Sequence, residues 1–188
     1  MNTTLLYRIE TLAGCQRAAT FRKAAEFILE HNCRRIVETG SYRGNPADGQ
    51  STLILALLAK ELAGEILSIE LNPEPIELAK TLLESNNVAG WVNFSQTDSV
   101  VGLSIHNENI RFAYLDSYDH EAHNPGPCQR HQLAEVGALY GKMVAPCAIL
   151  LDDHVPETGG KTALSAAFLK DRGWKLAAEG YQLLFTLP

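Results

Sequence analysis

The sequence predicts an α/β protein: a Rossmann-like, seven-stranded, mostly parallel sheet with an antiparallel C-terminal strand and helices on both faces. Three observations carry this. From Arg35 onward, short apolar runs alternate with helical stretches, the pattern of βαβ units with right-handed crossovers. Within Arg34–Thr52 a strand, a glycine-containing turn and the start of an apolar helix follow one another. The last two extended runs, Trp174–Ala178 and Gln182–Leu187, are joined by the short turn at Glu179-Gly180. So short a turn joins only antiparallel strands, so the final strand should run against the rest, beside the strand ending at Asp152.

The elements follow in order. Thr11 to His31 reads as an amphipathic helical region, with Phe21, Ala24, Ala25 and Ile28 on one face and Phe27 widening it. It covers one side of the sheet, or serves as a lid or a homodimer surface. Arg35-Ile36-Val37-Glu38 is the first strand, Gly40 and Gly44 form a turn, and Ser51 or Thr52 opens the helix carrying Leu53, Ile54, Leu57, Leu58 and Leu62. Ile66–Ile69 is the second strand, ending on Glu70; Asn72-Pro73 is a cap and first-turn proline for the next helix, which runs to Asn86-Asn87. Trp91–Ser95 is the third strand, with Thr97-Asp98-Ser99 as its exit loop, and Arg111–Leu115 the fourth, ending on Asp116. The polar segment Ser117–Gln129 reads as a loop, followed by a helix from Arg130 to Lys142. Cys147–Leu151 is the fifth strand, closed by Asp152-Asp153-His154, and Thr162–Asp171 another helix.

Length and composition set bounds. The 188 residues suit one domain, 1–188, with residues 1–33 as an N-terminal helical cap. A formal net charge of -6 argues against nucleic acid as the main partner, because a phosphate backbone calls for a basic stripe. No apolar run reaches membrane-spanning length and the N-terminus has no basic-then-apolar signal, so no membrane partner is expected. Cys15, Cys33, Cys128 and Cys147 form no C-x-x-C pair and read as reduced thiols, which points to a cytoplasmic location.

In an open parallel sheet, ligands bind outside the carboxyl ends of the strands. Here those ends carry Glu38, Glu70, Asp98, Asp116, Asp152 and Asp153, more acid than solvation requires. Each alone would serve as a cap or turn residue; together they favour a site. The turn E-x-G-x-x-x-G (Glu38, Gly40, Gly44) can cradle a nucleotide with backbone N–H groups, though its spacing is not the G-x-G-x-x-G of dinucleotide folds. At its position, Glu70 can grip ribose hydroxyls.

The runs VETGSYRG, ILSIELNPE, QTDS, AYLDS and ILLDDH together resemble class I S-adenosylmethionine-dependent methyltransferases over nearly the whole chain from Ile36. Within that family the likeness is to metal-dependent O-methyltransferases and the cephalosporin-hydroxylase-like group. The resemblance implies that Glu38, Gly40, Ser41 and Gly44 line the methionine side of S-adenosyl-L-methionine. By the same likeness Glu70 and Leu71 border the ribose, Thr97, Asp98 and Ser99 the adenine edge, and Asp116 the cofactor. Asp116, Asp152 and Asp153 match carboxylates that hold a divalent metal, Mg²⁺ by preference. Two departures stand out: catechol-type enzymes commonly carry Asp-Asn where this chain has Asp152-Asp153, and the glycine loop holds an extra Asn45–Gln50 segment.

The crowding of the aspartates also points to a metal. Neighbouring fourth and fifth strands bring Asp116 beside Asp152 and Asp153, and carboxylates so crowded repel unless protonated or bridged by a cation. Hard oxygen ligands suit Mg²⁺, Mn²⁺ or Ca²⁺; the alternative is that one aspartate points inward and the others cap helices. Asp116, His120 and His154 are the candidate catalytic residues, the histidines as bases for a hydroxyl proton. His31, His106 and His131 read as structural. The function expected is methyl transfer to a small hydroxylated acceptor. The alternatives are a nicotinamide-dependent Rossmann oxidoreductase, disfavoured by the missing G-x-G-x-x-G, and a non-catalytic binding protein that keeps the sheet.

Overall fold

The computed structural model describes residues 2–46, 49–105 and 109–188. His106 and residues 47 and 48 of the extended glycine loop lie outside them. The chain runs α1 (Thr3–Ala13), α2 (Ala18–Glu30), β1 (Arg35–Thr39), α3 (Ser51–Leu62), β2 (Glu65–Glu70), α4 (Pro73–Ser85), β3 (Val92–Gln96) and α5 (Ser99–Ile105). It continues with β4 (Ile110–Leu115), α6 (Gly126–Tyr140), β5 (Met143–Leu151), α7 (Ala163–Asp171), β6 (Lys175–Glu179) and β7 (Leu183–Leu187). Seven strands form one sheet in the order β3-β2-β1-β4-β5-β7-β6. β1 to β5 pair in parallel, whereas β7 lies antiparallel between β5 and β6. The short turn after Glu179 therefore does what the sequence requires.

Successive strand residues face opposite ways, and both faces are covered. Ile36, Ile66, Phe112, Tyr114, Ala148 and Leu150 pack with residues of α1, α2, α3 and α4. Val37, Ala113, Leu115, Ile149 and Leu151 pack with residues of α5, α6 and α7 on the other side. α3 is the most enclosed helix: Thr52 through Ala59 are all buried, which explains why its sequence is apolar all round instead of striped.

Several boundaries differ from the sequence reading. The N-terminal region is two helices, because Gly14, at φ 74°, closes α1 in a conformation that few other residues adopt. The exit of β3 is not only loop: Asp98 caps α5, its Oδ1 accepting the Val101 N–H at 3.1 Å. α6 starts at Gly126 rather than Arg130, and β5 starts at Met143 rather than Cys147. Among the described residues, no helix is long and apolar enough to cross a membrane.

Candidate active site

The register places the strand exits level with one another. Thr39 pairs with Ile69 on one side and Leu115 on the other, and Leu115 pairs with Leu151. The ladder then extends one step past the strands: Gly40 N–H donates to Ile69 O, Asp116 N–H to Thr39 O, Asp152 N–H to Leu115 O and Thr97 N–H to Glu70 O. Gly40, Glu70, Asp116 and Asp152 thus line one edge. Its middle is the gap between β1 and β4, where the order of connection reverses and open α/β sheets form their ligand crevice. Gly40 stands at this point with φ +79°, and a Cβ there would lie 2.3 Å from the Asp116 carbonyl oxygen. Only glycine fits so close an approach.

Two cavities adjoin here. One, of ≈ 190 Å³, is bordered by Ile69, Glu70, Leu71, Asn72, Asp98 and Ser99 of the β2 and β3 exits, with Ser117, Tyr118 and His131 opposite. The other, of ≈ 350 Å³, lies over β1, β4 and β5 and is edged by Gly40, Ser41, Asp116, His120, Asp152 and Asp153, with Arg17 and Tyr181 at its side. Glu70 braces the wall between them. Its carboxylate accepts the Ser41 N–H at 3.1 Å and the Asn72 N–H at 2.8 Å, fixing the loops after both β1 and β2. Two of its roughly four lone-pair positions are thereby used.

Glu38 is placed differently from the reading that set it against the ligand. It is fully buried and borders neither cavity. Its Oε1 accepts the Ser51 hydroxyl at 2.6 Å and its Oε2 the Ser68 hydroxyl at 2.8 Å. Burial raises its carboxyl to about 7, the hydroxyls only partly opposing that rise. Glu38 therefore acts from beneath, holding the start of α3. There Thr52 Oγ1 accepts the Tyr42 N–H at 3.0 Å and keeps the glycine loop in place. Thr97 holds the β2–β3 exits together through its backbone, and Gly44, at φ +89°, sits against Leu78.

The three aspartates meet, with potential ligand oxygens all within 4.8 Å of one another. Two cations meet them. Arg17 forms a two-pronged pair with Asp152, at 3.0 and 2.7 Å. Lys161, 1% exposed, places its ammonium 2.7 Å from Asp116 Oδ1 and 3.0 Å from Asp153 Oδ2. Burial, then the charge of Asp152, pushes the Asp116 carboxyl up to about 7 against the pull of Lys161. Burial would raise Asp153 too, but Lys161 and the Tyr181 hydroxyl more than offset it and leave that carboxyl below the usual range. For Lys161, burial works toward deprotonation, yet the surrounding carboxylates outweigh it and hold the ammonium charged.

Of the histidines, His120 borders the larger cavity. His154 does not, which corrects its place among the catalytic candidates. Asp153 takes a left-handed φ of 61° and turns the chain away. The His154 ring then lies beyond the cluster, with Nδ1 2.9 Å from Thr162 Oγ1 and Nε2 3.5 Å from Glu179 Oε1. It lines a separate cavity with α7 and Leu183. His131, read as structural, instead borders the smaller cavity, its Nε2 2.9 Å from Ser99 Oγ and 3.0 Å from Ser117 Oγ. Its spacing of four from Glu135, whose carboxylate accepts the Ser117 hydroxyl, was the available sequence clue. Tyr181 and Gln182 were missed because they lie at the start of an antiparallel strand, which delivers its first residues to the edge where the parallel strands end. Gln182 Nε2 donates to Asp152 Oδ1 at 2.6 Å, and the Thr20 hydroxyl donates to Gln182 Oε1 at 2.6 Å.

No protein-family model matches the chain, and no curated protein matches it. Solved structures do. A methyltransferase from Podospora anserina bound to S-adenosylhomocysteine superimposes with a TM-score of 0.65 at 14% identity, over 93% of this chain and 80% of that one. An S-adenosylmethionine-dependent O-methyltransferase from Thermotoga maritima gives 0.59 at 14% identity, over 87% of this chain and 64% of that one. A candidate rRNA methylase from Clostridium thermocellum gives 0.60 at 14% identity, over 87% and 93%. The antiparallel β7 between β5 and β6 is absent from the 3-2-1-4-5-6 order of dinucleotide folds. The chain has the class I S-adenosylmethionine-dependent methyltransferase fold.

Proposed function

We propose that the chain is an S-adenosyl-L-methionine-dependent methyltransferase acting on a hydroxyl of a small acceptor. The observation that carries this reading is the pair of adjoining cavities separated by the Ser41–Glu70 brace. The smaller one suits a nucleoside: carboxylates at Glu70 and Asp98 accept from hydroxyls and amino groups, and Ile69 and Leu71 offer apolar flanks to a flat ring. The larger one, rimmed by Asp116, Asp119, Asp152 and Asp153, suits the cationic methionine end and an acceptor beside it. When bound, the cofactor supplies an electrophilic methyl group.

The chain's own part is positioning and proton handling. Asp116, raised to about 7, is matched to taking a hydroxyl proton near neutral pH. Its Oδ2 accepts the Tyr114 hydroxyl at 3.1 Å and its Oδ1 the Lys161 ammonium, so the carboxylate has one orientation. His120 stands at the same cavity to pass the proton outward. The divalent metal expected from the acidic triad has no part in this reading, because the Lys161 and Arg17 cations already stand against the carboxylates that would ligate it. Nucleic acid was disfavoured on net charge alone, and a like-folded protein named for rRNA means that the fold lends this no support.

The test is transfer of radiolabelled methyl from the cofactor to a panel of small hydroxylated compounds. RNA and ribosomal protein serve as competing acceptors. Transfer to a small hydroxyl compound, lost by about a hundredfold or more in Asp116→Asn, is the expected result. Label appearing only in RNA or protein, or an undiminished Asp116→Asn, would overturn the reading.

A further inference from the structure

Lys161 is the group in this cluster that the fold goes furthest to install. After Asp153 the chain doubles back through Gly159 and Gly160, at φ +79° and +51°. A Cβ on Gly160 would lie 2.3 Å from Asp153 O and 2.8 Å from the Val155 nitrogen. The turn is pinned from α6 by Gln129, whose Nε2 donates to Gly160 O at 2.8 Å, and by the Lys161 N–H on Asp153 O at 3.0 Å. This drives the side chain inward, where the ammonium meets Asp116 Oδ1 at 2.7 Å, Asp153 Oδ2 at 3.0 Å and Tyr118 O at 2.9 Å. The ammonium donates two hydrogen bonds, to Asp116 and to the Tyr118 carbonyl, and stands in ion-pair contact with Asp153.

The remaining carboxylate oxygens are engaged too. Asp116 Oδ2 accepts the Tyr114 hydroxyl, and Asp153 Oδ1 the Tyr181 hydroxyl. Asp152 Oδ1 accepts from Arg17 and Gln182, and its Oδ2 from Arg17. Five of the triad's six oxygens therefore accept a hydrogen bond, and the sixth, Asp153 Oδ2, lies 3.0 Å from the Lys161 ammonium. A divalent cation such as Mg²⁺ needs the opposite: several oxygen lone pairs turned on one centre, with no proton donors among them. Lys161 and Arg17 supply two positive charges where one such ion would supply the same number.

We propose that Lys161 is the resident cation of this cluster in place of a divalent metal. The proposal takes the site to be the methyl-transfer site described above. Lys161 does not border the larger cavity; it bonds Asp116 and the Tyr118 carbonyl, tying the loop after β4 to the loop after β5. Such a site needs no ion from solution, and chelators leave it intact.

The experiment uses the whole chain dialysed against chelator and titrated with Mn²⁺. The spectroscopic signal of free Mn²⁺ and the thermal unfolding midpoint are followed together. Wild type should leave the Mn²⁺ free and show no shift. Lys161→Ala vacates the centre and leaves Asp116 and Asp153 facing each other. That variant should take up one Mn²⁺ per chain and gain a midpoint shift that grows with Mn²⁺ concentration, both lost again on adding Asp153→Asn. Stoichiometric Mn²⁺ uptake by wild type, or a folded Lys161→Ala that ignores Mn²⁺, would overturn the proposal. If Lys161→Ala does not fold, the wild-type titration still decides. S-adenosylhomocysteine titrated into the same wild-type sample separates the two readings: failure to bind it strikes the methyl-transfer reading and leaves the Mn²⁺ result standing.

Discussion

Replacing Glu38 by glutamine should reverse part of the protein's response to pH. In the fold its carboxyl rises from an ordinary 4.5 to about 7, burial being the dominant cause. Each pKa unit is worth about 1.4 kcal/mol, so keeping Glu38 ionised costs the native state about 3 kcal/mol. The folded chain holds this proton more tightly than the unfolded chain does. Between pH 4.5 and about 7, stability attributable to Glu38 must therefore fall as pH rises, and above about 7 it levels off. The substituted amide keeps the shape and can still bond Ser51 and Ser68, since a hydroxyl donates or accepts, but it carries no charge to desolvate. Urea unfolding of wild type and Glu38→Gln at a series of pH values isolates the contribution of Glu38, because that of Asp116 is common to both. Wild-type stability relative to the variant should drop by about 3 kcal/mol across that window. A difference that is flat in pH, or one that grows in wild type's favour as pH rises, would refute the account of Glu38 as a buried carboxyl carrying a desolvation cost.

Two further outcomes follow. Arg17→Met should destabilise the chain by about 3–5 kcal/mol in urea unfolding, because it strands the fully buried Asp152 with Gln182 as its main donor; adding Asp152→Asn should recover much of the loss. Gly40→Ala should cost more than about 2 kcal/mol and abolish cofactor binding, since its Cβ would strike the Asp116 carbonyl at a φ of +79°. A Gly40→Ala variant of wild-type stability would remove the argument that β1 and β4 must approach so closely.

The sheet was legible in the sequence because its signals are local. Alternating apolar strands and helices set the parallel core, and the turn at Glu179-Gly180 sets the reversal of β7. The row of acidic exits was legible for the same reason: each follows its strand directly, and parallel register does the rest. What completes the site is not local. Arg17 meets Asp152 across 135 residues of sequence, and Lys161 meets Asp116 across 45. A lysine after two glycines, ahead of an apolar helix, carries no mark of burial until the turn's positive φ angles send it inward. His154 misled for the converse reason: adjacency to Asp152-Asp153 suggested a shared cavity, and the left-handed Asp153 breaks that adjacency in space. α5, only seven residues and rich in β-branched Val, has too little periodicity to declare itself.

In the proposed function, the carboxyl edge of the sheet binds S-adenosyl-L-methionine across the β1–β4 switch, with Glu70 gripping the ribose. Calorimetric titration of the chain with S-adenosylhomocysteine, run beside Glu70→Gln, tests it directly. The glutamine keeps an acceptor for one of the two backbone N–H groups that Glu70 braces but loses the charge-assisted bonds, each worth about 1.5–3 kcal/mol. Saturable binding by wild type, weakened about tenfold or more in a Glu70→Gln variant that still unfolds cooperatively, is the expected result. No heat of binding to wild type, or equal affinity in the two proteins, would contradict it.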